Sequence, residues 1–335
     1  MKKISKKSPV KNSFYMKMLF LYSGILLLSA FISTCILYYT QRQNQLADLR
    51  ENNQNFLTQF QIYTDHYVLD RVYSLVTQEL YNNSLYNNDL LFNPESYRHD
   101  FNDHSTILEI QDFLNTCLSD AKVIHSIYIY CQPYDTLVST EKGNFYSVTD
   151  NRYNYQDLIP YQLLDYALQQ KNSMFWIPPS VTASFYSDQN IATLARRLPT
   201  FVEPSQADLI LLVNLDLKSV YEDFLADSNM ETNDLLILEG ENLLYSASAS
   251  SRLYDAIPAS LSDALSQKAE GSVTMDLNSQ KYLISWMGSQ ESTWTYVYFS
   301  ACPDLFLSVF TSTGGVFFAS LSLFLLCLLI IYLVS

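Results

Sequence analysis

The sequence predicts an α+β fold held between two membrane helices, and three features support that reading. Two uncharged apolar runs stand near its ends, Met18 to Tyr39 and Leu305 to Ser335. About 20 apolar residues cross a bilayer as a helix, so each run is long enough. Residues 41–80 contain neither Pro nor Gly, and their apolar side chains recur three, four or seven apart, as one face of a long helix requires. Beyond residue 120, short runs alternate apolar and polar side chains between turn residues, the two-residue period of strands. The expected architecture is two transmembrane helices flanking a long stalk helix and two mixed α/β units of unequal size.

Residues 1–17 form a basic arm, with Lys2, Lys3, Lys6, Lys7, Lys11 and Lys17 and no acid. Residues 18–39 read as an uncleaved membrane anchor. The apolar run exceeds that of a signal peptide, no A-x-A site follows, and Tyr38 and Tyr39 suit an interfacial belt. The stalk covers 40–80, with Leu46, Leu49, Phe56, Phe60, Tyr63 and Tyr67 as its stripe and Leu69, Val72, Val76 and Leu80 on a shifted face. It can serve as a dimerising signalling helix, as a cover for a sheet, or as both on different halves.

The larger unit spans 81–226. It opens with an Asn-rich polar loop to residue 104 and a helix over 105–118. Strands follow at 125–131 and 136–140, with turns at 132–135 and 141–144. A helix is expected over 157–170. Met174 to Ile177 is an apolar stretch stopped by Pro178 and Pro179. Strands at 190–198 and 208–217 come next, the second nearly all apolar and so central, before a helix from Lys218. The smaller unit spans 227–303: a hairpin at 234–239 and 243–246, a helix over 257–268, and strands at 271–277, 281–287 and 293–300. Residues 305–334 are the second membrane helix.

Of 34 acidic side chains only Asp304 lies outside residues 40–303. Lysines at the N-terminus keep that end cytoplasmic and place 40–303 outside the cell. The acidic region argues against nucleic acid as its ligand. Cys117 and Cys131 can bridge, and no Cys/His spacing suits a structural metal. Four scattered histidines, no HExxH, no phosphate-cradling Gly motif and no GxSxG leave no catalytic site, metal site or cofactor to expect.

The chain resembles the double Cache (dCache) sensor region of bacterial transmembrane receptors, in which a long helix runs beside two tandem PAS-like units. SIYIYCQPYDTLVST is similar to the membrane-distal hairpin, and LILLVNLDLKSVYEDF to its closing strand and connecting helix. DLLILEGENLLYS resembles the membrane-proximal hairpin, and KYLISWMGSQESTWTYVYFSACPDLF the last two strands and the link to the membrane. The resemblance implies small-molecule sensing outside, a homodimer joined through stalk and membrane helices, and a cytoplasmic output of the AraC-type DNA-binding regulator or histidine kinase kind. A non-sensing adhesion or scaffold module is the alternative of another class.

Residues 152–197 hold the aromatic walls and polar groups a solute site needs: Arg152, Tyr153, Tyr155, Trp176, Tyr186, Arg196 and Arg197. Strand alternation sends Arg196 and Arg197 to opposite faces, and the one facing the helices can fork onto a carboxylate. Amino-acid binders of the family carry an Arg–Trp–Tyr–Asp series. Arg152, Trp176 and Tyr186 keep its order, whereas Asn214 stands where an acid is common. An amino acid and a sugar are both open. Ser29-x-x-x-Ser33 and Gly315-x-x-x-Ala319 allow close helix packing, and ligand binding is expected to shift the proximal unit and displace the second membrane helix.

Overall fold

The computed structural model describes residues 9–76, 104–119, 122–150, 158–186, 190–198, 209–228, 234–247, 254, 265 and 269–302, with parts of 318–329. The first helix, α1, runs from Pro9 to Ile62 without a break between its membrane and stalk parts. From Leu21 to Tyr39 most of its large apolar side chains are exposed, as lipid contact requires. Its most apolar 18-residue window has a mean hydropathy of 1.9, and among the described residues it is the one helix long and apolar enough to cross a bilayer. The hydroxyls of Ser29 and Thr34 donate to Leu26 O and Ala30 O, so neither needs water. The second membrane helix expected over 305–334 falls mostly outside the described residues. Phe318, Leu325, Leu326 and Leu329 there are helical and exposed.

Residues 53–300 form a separate compact unit. Past Ile62 the helix winds wider, as a π-helix over Tyr63–Leu69, and resumes as α2, Asp70–Ser74. This corrects the expected stripe. Tyr67 is 70% exposed, while Thr64 and Asp65 point inward with Leu57, Phe60, Gln61, Val68 and Leu69. A ridge of every fourth residue drifts about 40° per step on an α-helix. The wider π turn takes up that drift, so Asn53, Leu57, Gln61, Asp65 and Leu69 all stay buried.

Helix α3 is His104–Ser119. Strands β1 (Ile124–Cys131), β2 (Thr136–Ser139) and β3 (Gly143–Tyr146) make an antiparallel meander. The second turn is therefore tighter than expected, and β3 uses residues read as loop. Ser139 Oγ accepts from the backbone N–H of Glu141 at 3.0 Å and Lys142 at 3.1 Å, and Gly143 at φ 89° closes the turn. Helix α4 starts later than expected, at Tyr161, and ends at Gln169. Met174–Ile177 is an edge strand, β4, and Pro179–Thr182 is a short helix, α5, that starts on its own proline. Strands β5 (Ile191–Leu198) and β6 (Leu209–Asp216) complete a six-stranded sheet of order β3-β2-β1-β6-β5-β4. Asp216 caps α6 (Leu217–Ser228), accepting from Lys218 N at 3.0 Å and Ser219 Oγ at 2.7 Å.

The second sheet has the order β8-β7-β11-β10-β9. Its strands are β7 (Asp234–Glu239), β8 (Asn242–Ser246), β9 (Glu270–Leu277), β10 (Gln280–Gly288) and β11 (Trp294–Ala301). Gly271 lets the Trp286 ring lie against its backbone, since a Cβ there would stand 2.3 Å from the indole. The helix expected over 257–268 lies outside the described residues.

One face of each sheet buries against the long helix, α3 and α6, in a single core. Phe56 stacks on Tyr298 at 4.3 Å, and Phe60 meets Phe224 and Tyr296 edge-on, each at 5.1 Å. Truncating one such buried phenylalanine costs about 3–5 kcal/mol. Cys117 and Cys131 are buried in this core as thiols. The other face of the six-stranded sheet carries a second core with α4. Here the chain is α+β with two antiparallel sheets behind a long helix.

Candidate ligand-binding site

On the α4 side of the six-stranded sheet, most inward side chains are apolar: Tyr128 and Tyr130 from β1, Ile210 and Leu212 from β6, Ile191 and Ala195 from β5. One row breaks that pattern. Pairing places Ser126 of β1 opposite Asn214 of β6, and Asn214 opposite Thr193 of β5. All three are fully buried. Buried polar groups persist only where they are bonded, and these are. Thr193 Oγ1 donates to Asn214 Oδ1 at 2.7 Å, and Asn214 Nδ2 donates to Ser126 Oγ at 2.9 Å.

Tyr186, four residues beyond α5, reaches over this row. Its hydroxyl accepts from Asn214 Nδ2 at 2.9 Å and lies 3.2 Å from Tyr128 Oη, 3.4 Å from Ser126 Oγ and 3.4 Å from Glu141 Oε2. Tyr128 Oη donates to Glu141 Oε2 at 2.8 Å. The result is a hydrogen-bonded cluster that runs from the sheet interior to a half-buried carboxylate. Lys142 Nζ lies 2.9 Å from Glu141 Oε1, and His125 Nε2 lies 3.7 Å from Oε2. Burial alone would raise the Glu141 carboxyl, but the hydrogen bonds from Lys142 and Tyr128 outweigh it and hold the group below the usual glutamate value. Burial pushes the Tyr128 and Tyr186 hydroxyls well above theirs, so both are neutral donors and acceptors.

Of the residues expected at a site, the structure brings Tyr186 to this cluster and sends three elsewhere. Trp176 pairs with Leu194, whose side chain faces the long helix, so its ring leaves the sheet on the opposite side. Arg196 shares that side by strand alternation. Arg197 does face the helices, yet its guanidinium is committed to the end of α4. It donates to Leu168 O and, at 2.8 Å, to Ala167 O, which the Gln170 N–H reaches only at 3.4 Å. Arg152, Tyr153 and Tyr155 lie outside the described residues. Their segment leaves from Val148 and returns at Ile159, both buried in the core on the α4 side. Sequence reasoning missed Ser126, Tyr128, Glu141 and Thr193. The available signal was a small polar residue among the apolar ones on one face of a strand, at Ser126 and Thr193 as at Asn214.

Trp176 has a different place. Its Nε1 donates to Tyr73 Oη at 3.2 Å, and its ring lies 4.8 Å from that of Trp294 in the second sheet. Tyr73 Oη donates to Glu291 O at 3.0 Å. Nearby, Asp65 of the π turn accepts from Ser289 Oγ at 2.7 Å, Gln290 N at 2.8 Å and Tyr296 Oη at 3.0 Å. The edge of the first sheet, the long helix and the β10–β11 hairpin therefore meet at one bonded junction.

No family model matches the chain, and no curated protein does. Solved structures do. The extracellular domain of soHK1S-Z6, a protein assigned to the histidine kinases, is similar at a TM-score of 0.51 and 14% identity, over 80% of this chain and 99% of that one. The ligand-binding domain of Mlp24 with asparagine has a TM-score of 0.46 and 11% identity, over 80% and 98% of the two chains. That of the Campylobacter jejuni chemoreceptor Tlp3 in complex with 4-methylisoleucine has 0.39 and 12%, over 82% and 92%. The first likeness shows the fold alone: the chain shares with that domain a double Cache-type α+β fold, a long helix beside two antiparallel sheets.

Proposed function

We propose that this chain is the input half of a membrane receptor, which binds a small polar solute outside the cell on the α4 side of its six-stranded sheet. The observation that carries the reading is the cluster of Ser126, Tyr128, Glu141, Tyr186, Thr193 and Asn214. Hydroxyl, amide and carboxylate groups converge within an otherwise apolar wall, which is the composition of a solute site. Arg152 and Tyr155 are proposed to join it, because both ends of their segment are anchored at that wall. A stabilising core would favour apolar side chains at three adjacent central positions.

The exposed apolar face of α1 and the lysines before it support a membrane anchor with a cytoplasmic N-terminus. Residues 40–303 are then extracellular, and 305–334 return the chain to the cytoplasm. The small-residue patterns at Ser29/Ser33 and Gly315/Ala319 support a homodimer through the membrane helices. No described group is offered a catalytic role. The resemblance of the first helix, stalk and early hairpin to AraC-type anchored regulators supports a DNA-binding output, ahead of a histidine kinase.

The test is a thermal-shift screen of the full chain in lipid nanodiscs against amino acids, sugars, polyols and small organic acids. One solute class should raise the melting temperature, and Asn214→Leu should abolish that rise. A flat screen sinks the sensing reading and favours an adhesion or scaffold module.

A further inference from the structure

We propose that Tyr186 is a tethered stand-in for the ligand: its hydroxyl fills a seat built for an uncharged hydroxyl group, and a solute bearing one binds as Tyr186 leaves. The inference rests on the sensing reading above and specifies the solute class.

Four polar atoms surround Tyr186 Oη within 3.4 Å, drawn from β1, β6 and the β2–β3 turn. A hydroxyl has one proton to give and two lone pairs to offer. The seat matches that inventory. Asn214 Nδ2 can only donate, the Glu141 carboxylate only accepts, and the Ser126 and Tyr128 hydroxyls do either. Other groups fit worse. A ligand carboxylate would meet the charged Glu141 at the distance where Tyr186 now accepts and donates. An ammonium has no lone pair for Asn214 Nδ2, whose fixed orientation is set by Thr193 on its oxygen. An alkyl group would strand the one Asn214 Nδ2 proton that Ser126 does not take, in a buried place, at about 1–3 kcal/mol, while Glu141 would keep Tyr128 and Lys142.

Tyr186 is also placed to leave. It belongs to no strand. The backbone bonds of residues 181–186 all run within their own turn, to Pro178, Pro179, Val181 and Thr182. Withdrawing the phenol from the seat therefore breaks side-chain bonds, ring contacts with His125 and Phe185 and its packing in the α4-side core, and among the described residues no sheet ladder.

The test uses the full chain in nanodiscs. Tyr186→Ala is melted with p-cresol, which is the tyrosine side chain itself, with toluene, which lacks the hydroxyl, and with p-toluate, which replaces it by a carboxylate. The melting temperature should rise by several degrees with p-cresol, saturably, and far less with the other two. An equal response to toluene marks a plain apolar hole and overturns the proposal. Tyr186→Phe keeps the ring and decides the matter even where the alanine variant fails to fold. With the competing hydroxyl gone, glucose, glycerol, myo-inositol or p-cresol should bind it about tenfold more tightly than wild type, the equivalent of one lost hydrogen bond. Weaker binding makes Tyr186 an ordinary ligand contact and overturns the proposal, as does binding of none of the four to either form. A wild type that responds only to solutes without a hydroxyl leaves sensing intact and refutes the seat. A hydroxyl-selective Tyr186→Ala beside a flat wild-type screen refutes sensing, and the ligand assignment with it.

Discussion

Replacing Asp65 with alanine removes the acceptor for three donors at once. Gln290 N–H and Tyr296 O–H lose their partner outright, and Tyr296 is fully buried. Ser289 Oγ keeps two roles, accepting from Glu291 N at 3.2 Å and Ser292 N at 3.0 Å, and only its proton is stranded. Each buried donor left unpaired costs about 1–3 kcal/mol. One donor stranded in the core at Tyr296 and part of a second at Ser289, with Gln290 exposed to water, less the relief of no longer burying a carboxylate, predict a loss of about 2 kcal/mol. Asp65→Asn should cost about half as much, because one oxygen can still serve the two hydroxyls while its amide faces Gln290 N–H. The sequence has only three tryptophans, Trp176, Trp286 and Trp294, and two of them meet at this junction. Unfolding followed by tryptophan emission of the full chain in nanodiscs therefore reads the perturbed region directly. A double-mutant cycle with Tyr296→Phe should show coupling of about 1–2 kcal/mol. A loss under 1 kcal/mol for Asp65→Ala, or strictly additive costs in the cycle, would show that the π turn is held by packing alone.

Arg197→Met should destabilise the domain by about 1–3 kcal/mol, by exposing the last carbonyls of α4 to an apolar neighbour, and should leave solute affinity unchanged; lost binding at unchanged stability would restore it as a ligand group. Ser279→Gly should stabilise by about 1 kcal/mol in the same unfolding assay, since Asn278 and Ser279 form a two-residue hairpin turn with φ 50° and 67°, where glycine fits without strain. Burial raises the hydroxyls of Tyr128, Tyr130, Tyr186, Tyr245 and Tyr296 above the ordinary tyrosine value of 10.0. The folded chain thus keeps protons that the unfolded chain releases, so stability is complete below pH 10 and falls as pH rises beyond it. Tyrosinate absorbance should show a class of hydroxyls that ionises only as the fold is lost; ionisation of every tyrosine with the fold intact would refute it.

Much of the fold was legible because strand periods and turn residues are local. DLLILE and NLLYS, with Gly240 between them at φ 59°, announce a hairpin from composition alone. Two short strands were not, because GNFY and MFWI lie at sheet edges and are held by one neighbour each. Four residues on one ladder carry too little pattern to separate a strand from a turn or an apolar loop. The stripe on the long helix misled for another reason. Three- and four-residue spacings look alike on an α-helix and on one with a π turn, so the spacing points Tyr67 inward where Asp65 belongs. A buried acid in mid-helix, opposite a serine- and glutamine-bearing turn far along the chain, is a tertiary fact.

The candidate site was hidden by register. Ser126, Thr193 and Asn214 each look like a tolerated polar residue in its own strand, and alternation alone puts each on the α4 side. What makes them a cluster is that β1, β6 and β5 pair with these three positions side by side. A slip of one residue in either pairing would carry one of them to the opposite face and leave it unbonded in the main core. Such a slip is opposed by the desolvation of each stranded group, about 1–3 kcal/mol apiece. The polar row therefore helps to fix the register that creates it. The same coupling explains why arginine was a poor guide. A guanidinium beside aromatic residues suggests a carboxylate ligand, yet folding brings Arg197 against a helix end, 30 residues earlier in the chain, whose carbonyls take up its donors. Neutral groups that must find each other across three strands say more about a binding face than a charge that can be satisfied by the nearest backbone.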